Sequence, residues 1–201
     1  MGIVDCGIGN LFSIECTLRR VGLEPATICR SRTLKGFDAV VIPGVGNFRA
    51  AAENIGSMRS VIAEQVNDGV PLLGICLGMQ LLFDSSEESP GKGLGLLGGN
   101  VLRLPESVKI PHMGWNTLKM CRRDALTDGI SEKDHFYFAH SYYPSPSDND
   151  AIVARTEYGL DFTSIVADGN IYGTQFHPEK SGKAGEQILR NFALIVKRRG
   201  S

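Results

Sequence analysis

The chain has 201 residues, 42% of them hydrophobic and 21% charged, and a formal net charge of −1. This is the composition of an ordinary globular protein long enough to bury a sizeable core, and it lacks the basic surplus expected of a protein that grips nucleic acid or an anionic membrane. No apolar run is long enough to span a bilayer, the chain opens into strand-like Ile3-Val4 with no signal-peptide layout, and five cysteines without C-x-x-C spacing argue against a disulfide framework or zinc site and for a reducing cytoplasm.

In chain order, Ile3-Val4-Asp5 is a short strand and Cys6-Gly7-Ile8-Gly9-Asn10 a turn, with Asn10 able to cap the next helix. Leu11, Ile14, Leu18 and Val21 give that helix an apolar stripe, and Gly22 ends it. Ala26 to Cys29 and Asp38 to Ile42 are further strands, the second apolar on both faces as in a central parallel strand. The chain then breaks at Pro43-Gly44-Val45-Gly46. A helix runs from Asn47 or Phe48 to Ile55, and Ser57 is expected to cap another, with Val61, Ile62, Gln65 and Val66 inward. Val70 to Ile75 is a buried strand, and Leu77, Leu81 and Leu82 recur beyond it at helical spacing. The β-α-β-α-β order predicts a parallel sheet with helices on both faces.

After the polar, Gly/Pro-rich loop Asp84 to Gly95 the pattern changes. Val101 to Leu104, Asn116 to Cys121, His135 to Tyr143, Ala151 to Tyr158, Phe162 to Ala167 and Ile171 to Phe176 are closely spaced strand candidates. Turns such as Asp168-Gly169-Asn170 imply hairpins, hence an antiparallel extension of the parallel-centred sheet. Ser181 or Gly182 starts a last helix to Arg198, with Ile188, Leu189, Phe192, Ile195 and Val196 inward. No linker, repeat or low-complexity segment interrupts the chain, so residues 1–201 read as one α/β domain.

The chemistry gathers at Gly74-Ile75-Cys76-Leu77-Gly78. A strand that turns into a helix at a residue flanked by glycines two positions away is a nucleophile elbow, here with sulfur. Its helix N-terminus favours a thiolate; the plainer reading is a buried cysteine packed as a small hydrophobe. Such a nucleophile needs a base and an orienting group. In Phe176-His177-Pro178-Glu179, Pro178 holds the chain extended, so Glu179 can reach His177 and fix its tautomer. A solvated loop histidine is the alternative. His140 reads as structural or as a pocket wall, His112 has no carboxylate near it in sequence, and His135 looks like a surface strand start. The N–H of Leu77 is one oxyanion donor, and the Pro43 to Gly46 turn, on the same rim, is expected to supply the other. Gly7-Ile8-Gly9 lacks the third glycine of a dinucleotide fingerprint and there is no Walker sequence, so no nucleotide, metal or other cofactor is expected. Trp115 is equally compatible with an anchor for a partner, exposed on a Gly-rich loop, and with a buried core ring.

Gly74-Ile75-Cys76-Leu77-Gly78-Met79-Gln80 and His177-Pro178-Glu179 resemble the nucleophile and His-Glu motifs of the class I, triad-type glutamine amidotransferases. Asp5 to Leu11, Pro43 to Gly46, Gly93 to Gly99, Gln175 to Ser181 and above all Pro111-His112-Met113-Gly114-Trp115-Asn116 extend the resemblance over nearly the whole chain. They point to the branch that passes ammonia to a (β/α)8-barrel cyclase subunit in histidine biosynthesis. Cys6 departs from that pattern, where an aromatic residue is usual.

The resemblance implies a flavodoxin-like fold and catalysis by Cys76, His177 and Glu179. It implies an oxyanion site at Leu77, Val45 and Gly46 that is misaligned until the cyclase binds its ligand. Substrate contacts fall to Gln80 and Glu88 and to backbone at Ser141 and Tyr142; an interface of a heterodimer falls to Asn10, Trp115, Tyr137 and Lys180. The alternatives are another amidotransferase subunit, a non-catalytic partner-binding subunit, or a cysteine peptidase. The Trp115 motif and chain length speak against the first, the joint presence of Cys76, His177 and Glu179 against the second, and the lack of an evident peptide groove against the third.

Overall fold

A computed structural model describes residues 1–5, 11–28 and 36–199. The first half runs β1 (Gly2–Val4), α1 (Leu11–Arg20), β2 (Ala26–Ile28), β3 (Val40–Ile42), α2 (Phe48–Ile55), α3 (Arg59–Asn67), β4 (Leu72–Ile75) and α4 (Leu77–Gln80). The second half is β5 (Ser85–Ser86), β6 (Gly99–Arg103), β7 (His112–Asn116), β8 (Lys119–Met120), β9 (Phe136–His140), β10 (Tyr142–Pro146), β11 (Ile152–Glu157), β12 (Asp161–Asp168), β13 (Ile171–Thr174) and α5 (Gly182–Arg199). The Cys6 to Asn10 turn, including the capping and interface roles expected of Asn10, and the end of the second strand at Cys29 lie outside the described residues.

Among the described residues, eight strands form one sheet in the order β2-β1-β3-β4-β13-β12-β11-β8. The first five are parallel and the last three join antiparallel. The parallel part has the doubly wound 2-1-3-4-5 order, which leaves a crevice at the carboxyl ends of its central strands. Strand alternation divides the core in two. Ile3, Val41 and Leu73 meet Ile14 and Leu18 of α1 and Ile188, Leu189 and Phe192 of α5. Val4, Val40, Ile42 and Leu72 meet Phe48 and Ile55 of α2 and Ile62 of α3 on the opposite face. Each such side chain contributes about 1.5–3 kcal/mol relative to an exposed one. The expected parallel-centred sheet with helices on both faces and an antiparallel extension is the architecture observed.

Several local expectations are corrected. Ser57 does not cap α3: Gly56–Met58 is a 3-10 turn continuous with both helices, and the residue before α3 is Met58, which makes no side-chain cap. Gly56 stays in the right-handed helical region, so nothing breaks the chain there. The helix after Cys76 is a single turn. The stretch around Trp115 is strand β7, paired antiparallel with β9, rather than a loop, and the expected Asn116 to Cys121 strand shrinks to β8. His135 to Tyr143 divides at Ser141 into β9 and β10, which join different sheets. The Asp84 to Gly95 loop carries the two-residue strand β5.

Candidate active site

Cys76 ends β4 with φ 54° and ψ −108°, the only positive φ at a non-glycine among the described residues. Such backbone costs on the order of 1–3 kcal/mol and persists only where the surroundings enforce it. The flanking glycines show how. A Cβ on Gly78 would sit 1.7 Å from the Ile42 carbonyl oxygen, and one on Gly74 would sit 2.6 Å from that of Gly78. The turn is therefore packed directly against β3 and against itself, which directs the sulfur out of the sheet edge.

Neighbouring strands bring in the rest. The parallel register sets Thr174 of β13 beside Ile75, and Cys76 N–H donates to the Thr174 carbonyl at 2.7 Å. Gln175 consequently lies beside Cys76, and His177 follows two residues on. His177 N–H donates to the Tyr137 carbonyl of β9 at 2.9 Å, and its own carbonyl accepts from Ser181 Oγ at 2.6 Å. His177 Nδ1 and Glu179 Oε1 are 2.9 Å apart, with both side chains buried. Glu179 reaches the ring through a 3-10 turn at Pro178–Lys180, not through the extended alternation expected of the sequence. The carboxylate accepts the hydrogen bond from Nδ1–H and leaves Nε2 for the sulfur. Among the described residues no hydrogen bond is closed at Nε2, which is buried, nor at Glu179 Oε2. Burial alone would lower the His177 pKa. The Cys76 sulfur beside it and then Glu179 outweigh that and raise it to about 10. The site therefore favours the protonated form of the His177 ring.

A cleft of about 170 Å³ opens on this sulfur, lined among others by Val45, Gly46, Leu77, Gln80, Glu88 and Tyr142. Ser141 lines it too. The expected oxyanion and substrate positions are thus gathered around Cys76, but several are already engaged. Leu77 N–H donates to the Gly44 carbonyl at a long 3.4 Å. Glu88 Oε2 accepts the Phe48 N–H at 2.5 Å, at the start of α2. Gln80 Nε2 donates both to the Tyr142 carbonyl at 2.9 Å and to Gln175 Oε1 at 3.1 Å. A larger cavity of about 540 Å³ beside Met1, Leu23 and Val196 contains none of these groups.

His140 and His112 are more than pocket wall. His140 Nδ1 lies 2.9 Å from the Tyr142 carbonyl, so it carries the proton there. Its Nε2 then accepts from His112 Nδ1 at 3.1 Å, and His112 Nε2 accepts from Asn116 Nδ2 at 3.4 Å. Each ring is neutral in this chain. Burial lowers the His112 pKa to about 4. Burial chiefly lowers that of His140, to about 3; the Tyr142 hydrogen bond opposes this, and the charges of His112 and His177 add to it.

Trp115, Tyr137 and Lys180 form a cluster. Trp115 is 55% exposed and meets Tyr137 edge-on, ring centroids 5.9 Å apart, while Lys180 Nζ lies 5.8 Å from the Tyr137 centroid. Trp115 is therefore an exposed ring and not a core one, and Met113, also exposed, is two residues from it on β7. Sequence alone assigns no role to Gln175. Its place in the Gln175-Phe176-His177 run is the available signal, but only the strand register reveals the contact. Among the described residues no group of three His, Cys, Asp or Glu could hold a metal ion, and no helix is long and apolar enough to cross a membrane.

Comparison with known proteins gives the following. The family profile described as glutamine amidotransferase class-I matches residues 2–196. The imidazole glycerol phosphate synthase subunit HisH of Methanothermobacter thermautotrophicus is 46% identical over 98% of this chain and 99% of its own. That of Methanocaldococcus jannaschii is 47% identical over 98% of this chain and 100% of its own. Among solved structures, PurLQS from Thermotoga maritima superposes with a TM-score of 0.78. It covers 96% of this chain and 97% of its own at 21% identity, which speaks to the fold alone.

Proposed function

We infer that this chain, which belongs to the class I glutamine amidotransferases and within them to the HisH subunits of imidazole glycerol phosphate synthase, uses Cys76, His177 and Glu179 to release ammonia from glutamine. It is the glutaminase subunit of that enzyme, in histidine biosynthesis. The residue roles rest on one observation: a strained elbow cysteine beside a buried His177–Glu179 pair at the mouth of a cleft.

The Cys76 thiolate attacks the side-chain amide carbon of glutamine. A C–S bond forms and the carbonyl oxygen takes up the negative charge. As the tetrahedral centre collapses the C–N bond breaks, and His177 gives its proton to the departing nitrogen, which leaves as ammonia. A water then adds to the thioester as His177 takes one of its protons. The C–S bond breaks, and glutamate and the thiolate are regenerated. Glu179 keeps His177 in the working tautomer throughout. Gln80 and Glu88, with backbone at Ser141 and Tyr142, hold the α-carboxylate and α-amino end of the substrate.

The oxyanion is stabilised by the Leu77 N–H and one N–H from the turn at Val45 and Gly46. The long contact from Leu77 N–H to the Gly44 carbonyl supports a resting state in which this turn opposes an acceptor to the donor the oxyanion requires. Docking of a (β/α)8 cyclase subunit on Trp115, Tyr137, Lys180 and Asn10 realigns the turn and receives the ammonia in a cytoplasmic heterodimer. The whole chain serves as one amidotransferase domain. The test is glutamate release by the chain alone, with the cyclase, and with the cyclase and its ribotide ligand. The rate rises steeply in the last case; equal rates in all three refute the coupling.

A further inference from the structure

We propose that Gln175 is a further catalytic residue, whose side-chain N–H donates to the Cys76 sulfur and stabilises the thiolate, and that Gln80 and His140 are the positioning residues that aim it. Gln175 Nε2 lies 3.5 Å from Cys76 Sγ, and the residue is wholly buried. A neutral amide on a buried sulfur anion makes a charge-assisted bond without introducing a titration of its own.

The direction of that amide follows from a fixed point, the carbonyl of Tyr142, which can only accept. It takes a proton from Gln80 Nε2 at 2.9 Å, so the nitrogen end of Gln80 is on this side. The same nitrogen reaches Gln175 at 3.1 Å, so the group it meets there must be the acceptor oxygen. The other end of Gln175, facing the sulfur, is then the NH₂ group. His140 Nδ1–H donates to the same carbonyl at 2.9 Å and is itself held by His112 and Asn116. Reversing any one amide or ring would set donor against donor or acceptor against acceptor. The series therefore runs without a break from Asn116 on β7, next to exposed Trp115, to the nucleophile.

The bond acts at two points of the reaction. It favours the thiolate before attack, and it meets the sulfur anion again when the thioester breaks. The titratable groups around Cys76 are His177 after β13, His140 at the end of β9, Tyr142 on β10 and Glu88 across the cleft, with Glu179 behind His177. None is altered by a change at position 175, so a shift in the thiol titration reports the amide itself.

The proposal rests on Cys76 being the glutaminase nucleophile. The experiment follows alkylation of Cys76 by iodoacetamide from pH 5 to 10, read by peptide mass so that the other cysteines do not interfere. In Gln175→Met, which keeps the length and loses the donor, the midpoint rises by about one pH unit and the rate on its acid side falls about tenfold, while the high-pH plateau is unchanged. Gln175→Leu, a second apolar replacement that adds no charge, raises it as far and serves if the Met variant does not fold. Gln80→Met leaves Gln175 unaimed and gives a smaller rise. An unmoved midpoint in a folded Gln175 variant overturns the proposal. Wild-type protein that releases no glutamate with its synthase partner refutes the underlying reading instead.

Discussion

Replacing Glu179 by Gln removes one charge while preserving shape. Its Oε1 accepts from His177 Nδ1 at 2.9 Å, with both side chains buried, and its Oε2 has no hydrogen-bond partner among the described residues. A hydrogen bond to a charged group contributes about 1.5–3 kcal/mol. Two outcomes are then separated by magnitude. If the new amide presented NH₂ to Nδ1, the ring would be driven into the wrong tautomer, at a cost of roughly 10⁴ in kcat. Nothing on the outer side of residue 179 fixes the amide that way, so its oxygen is free to face Nδ1–H and the tautomer survives. Only the charge is lost, which corresponds to a fall of about ten- to a hundredfold in kcat. Glu179 does not line the cleft, so KM stays within about twofold. The assay is glutamate release by the ligand-bound synthase complex. No loss at all would refute the orienting role derived for Glu179, and a loss near 10⁴ would show that the new amide presents its NH₂ to Nδ1.

Two further outcomes concern the scaffold. Gly78→Ala forces a Cβ to within 1.7 Å of the Ile42 carbonyl oxygen and destabilises by more than about 4 kcal/mol, seen as loss of folded protein or a large drop in urea midpoint, whereas Gly56→Ala, which meets nothing within 4 Å in helical backbone, stabilises by about 0.5–1 kcal/mol. His112 and His140 have folded pKa values lowered to about 4 and about 3, below the ordinary 6.5, so the unfolded chain binds more protons as the pH falls through 6.5 and stability declines from there down to about pH 3–4. Chemical denaturation across that window checks this, and His112→Phe, which can keep the stacking on Tyr158 and Phe138, gives about half the slope.

The parallel half was legible because its strands are continuous apolar runs and its helices carry stripes at helical spacing. Ile3-Val4, Val40 to Ile42 and Leu72 to Ile75 could hardly be anything but central strands. The grouping of Cys76, His177 and Glu179 was legible because it is tied to local signals: glycines flanking Cys76, and a histidine with a carboxylate two residues on. What escaped depends on tertiary register. Trp115 sits in a motif rich in Gly and Pro that reads as a loop, yet pairing with Tyr137 makes it a strand. Gln175 became visible only when β13 aligned with β4, and the His112–His140 contact only when β7 paired with β9, setting the two rings opposite each other. Ser57 failed as a cap because the chain never leaves helical backbone at Gly56.

If Cys76 makes ammonia and takes no part in forming imidazole glycerol phosphate, one substitution separates the two steps. This is tested most directly by comparing product formation in the synthase complex of Cys76→Ala when supplied with glutamine or with ammonium salt. The expected result is no detectable glutamine-dependent turnover, with ammonia-dependent turnover within about twofold of wild type. Loss of both activities in a folded complex, or retention of the glutamine-dependent one, would contradict it.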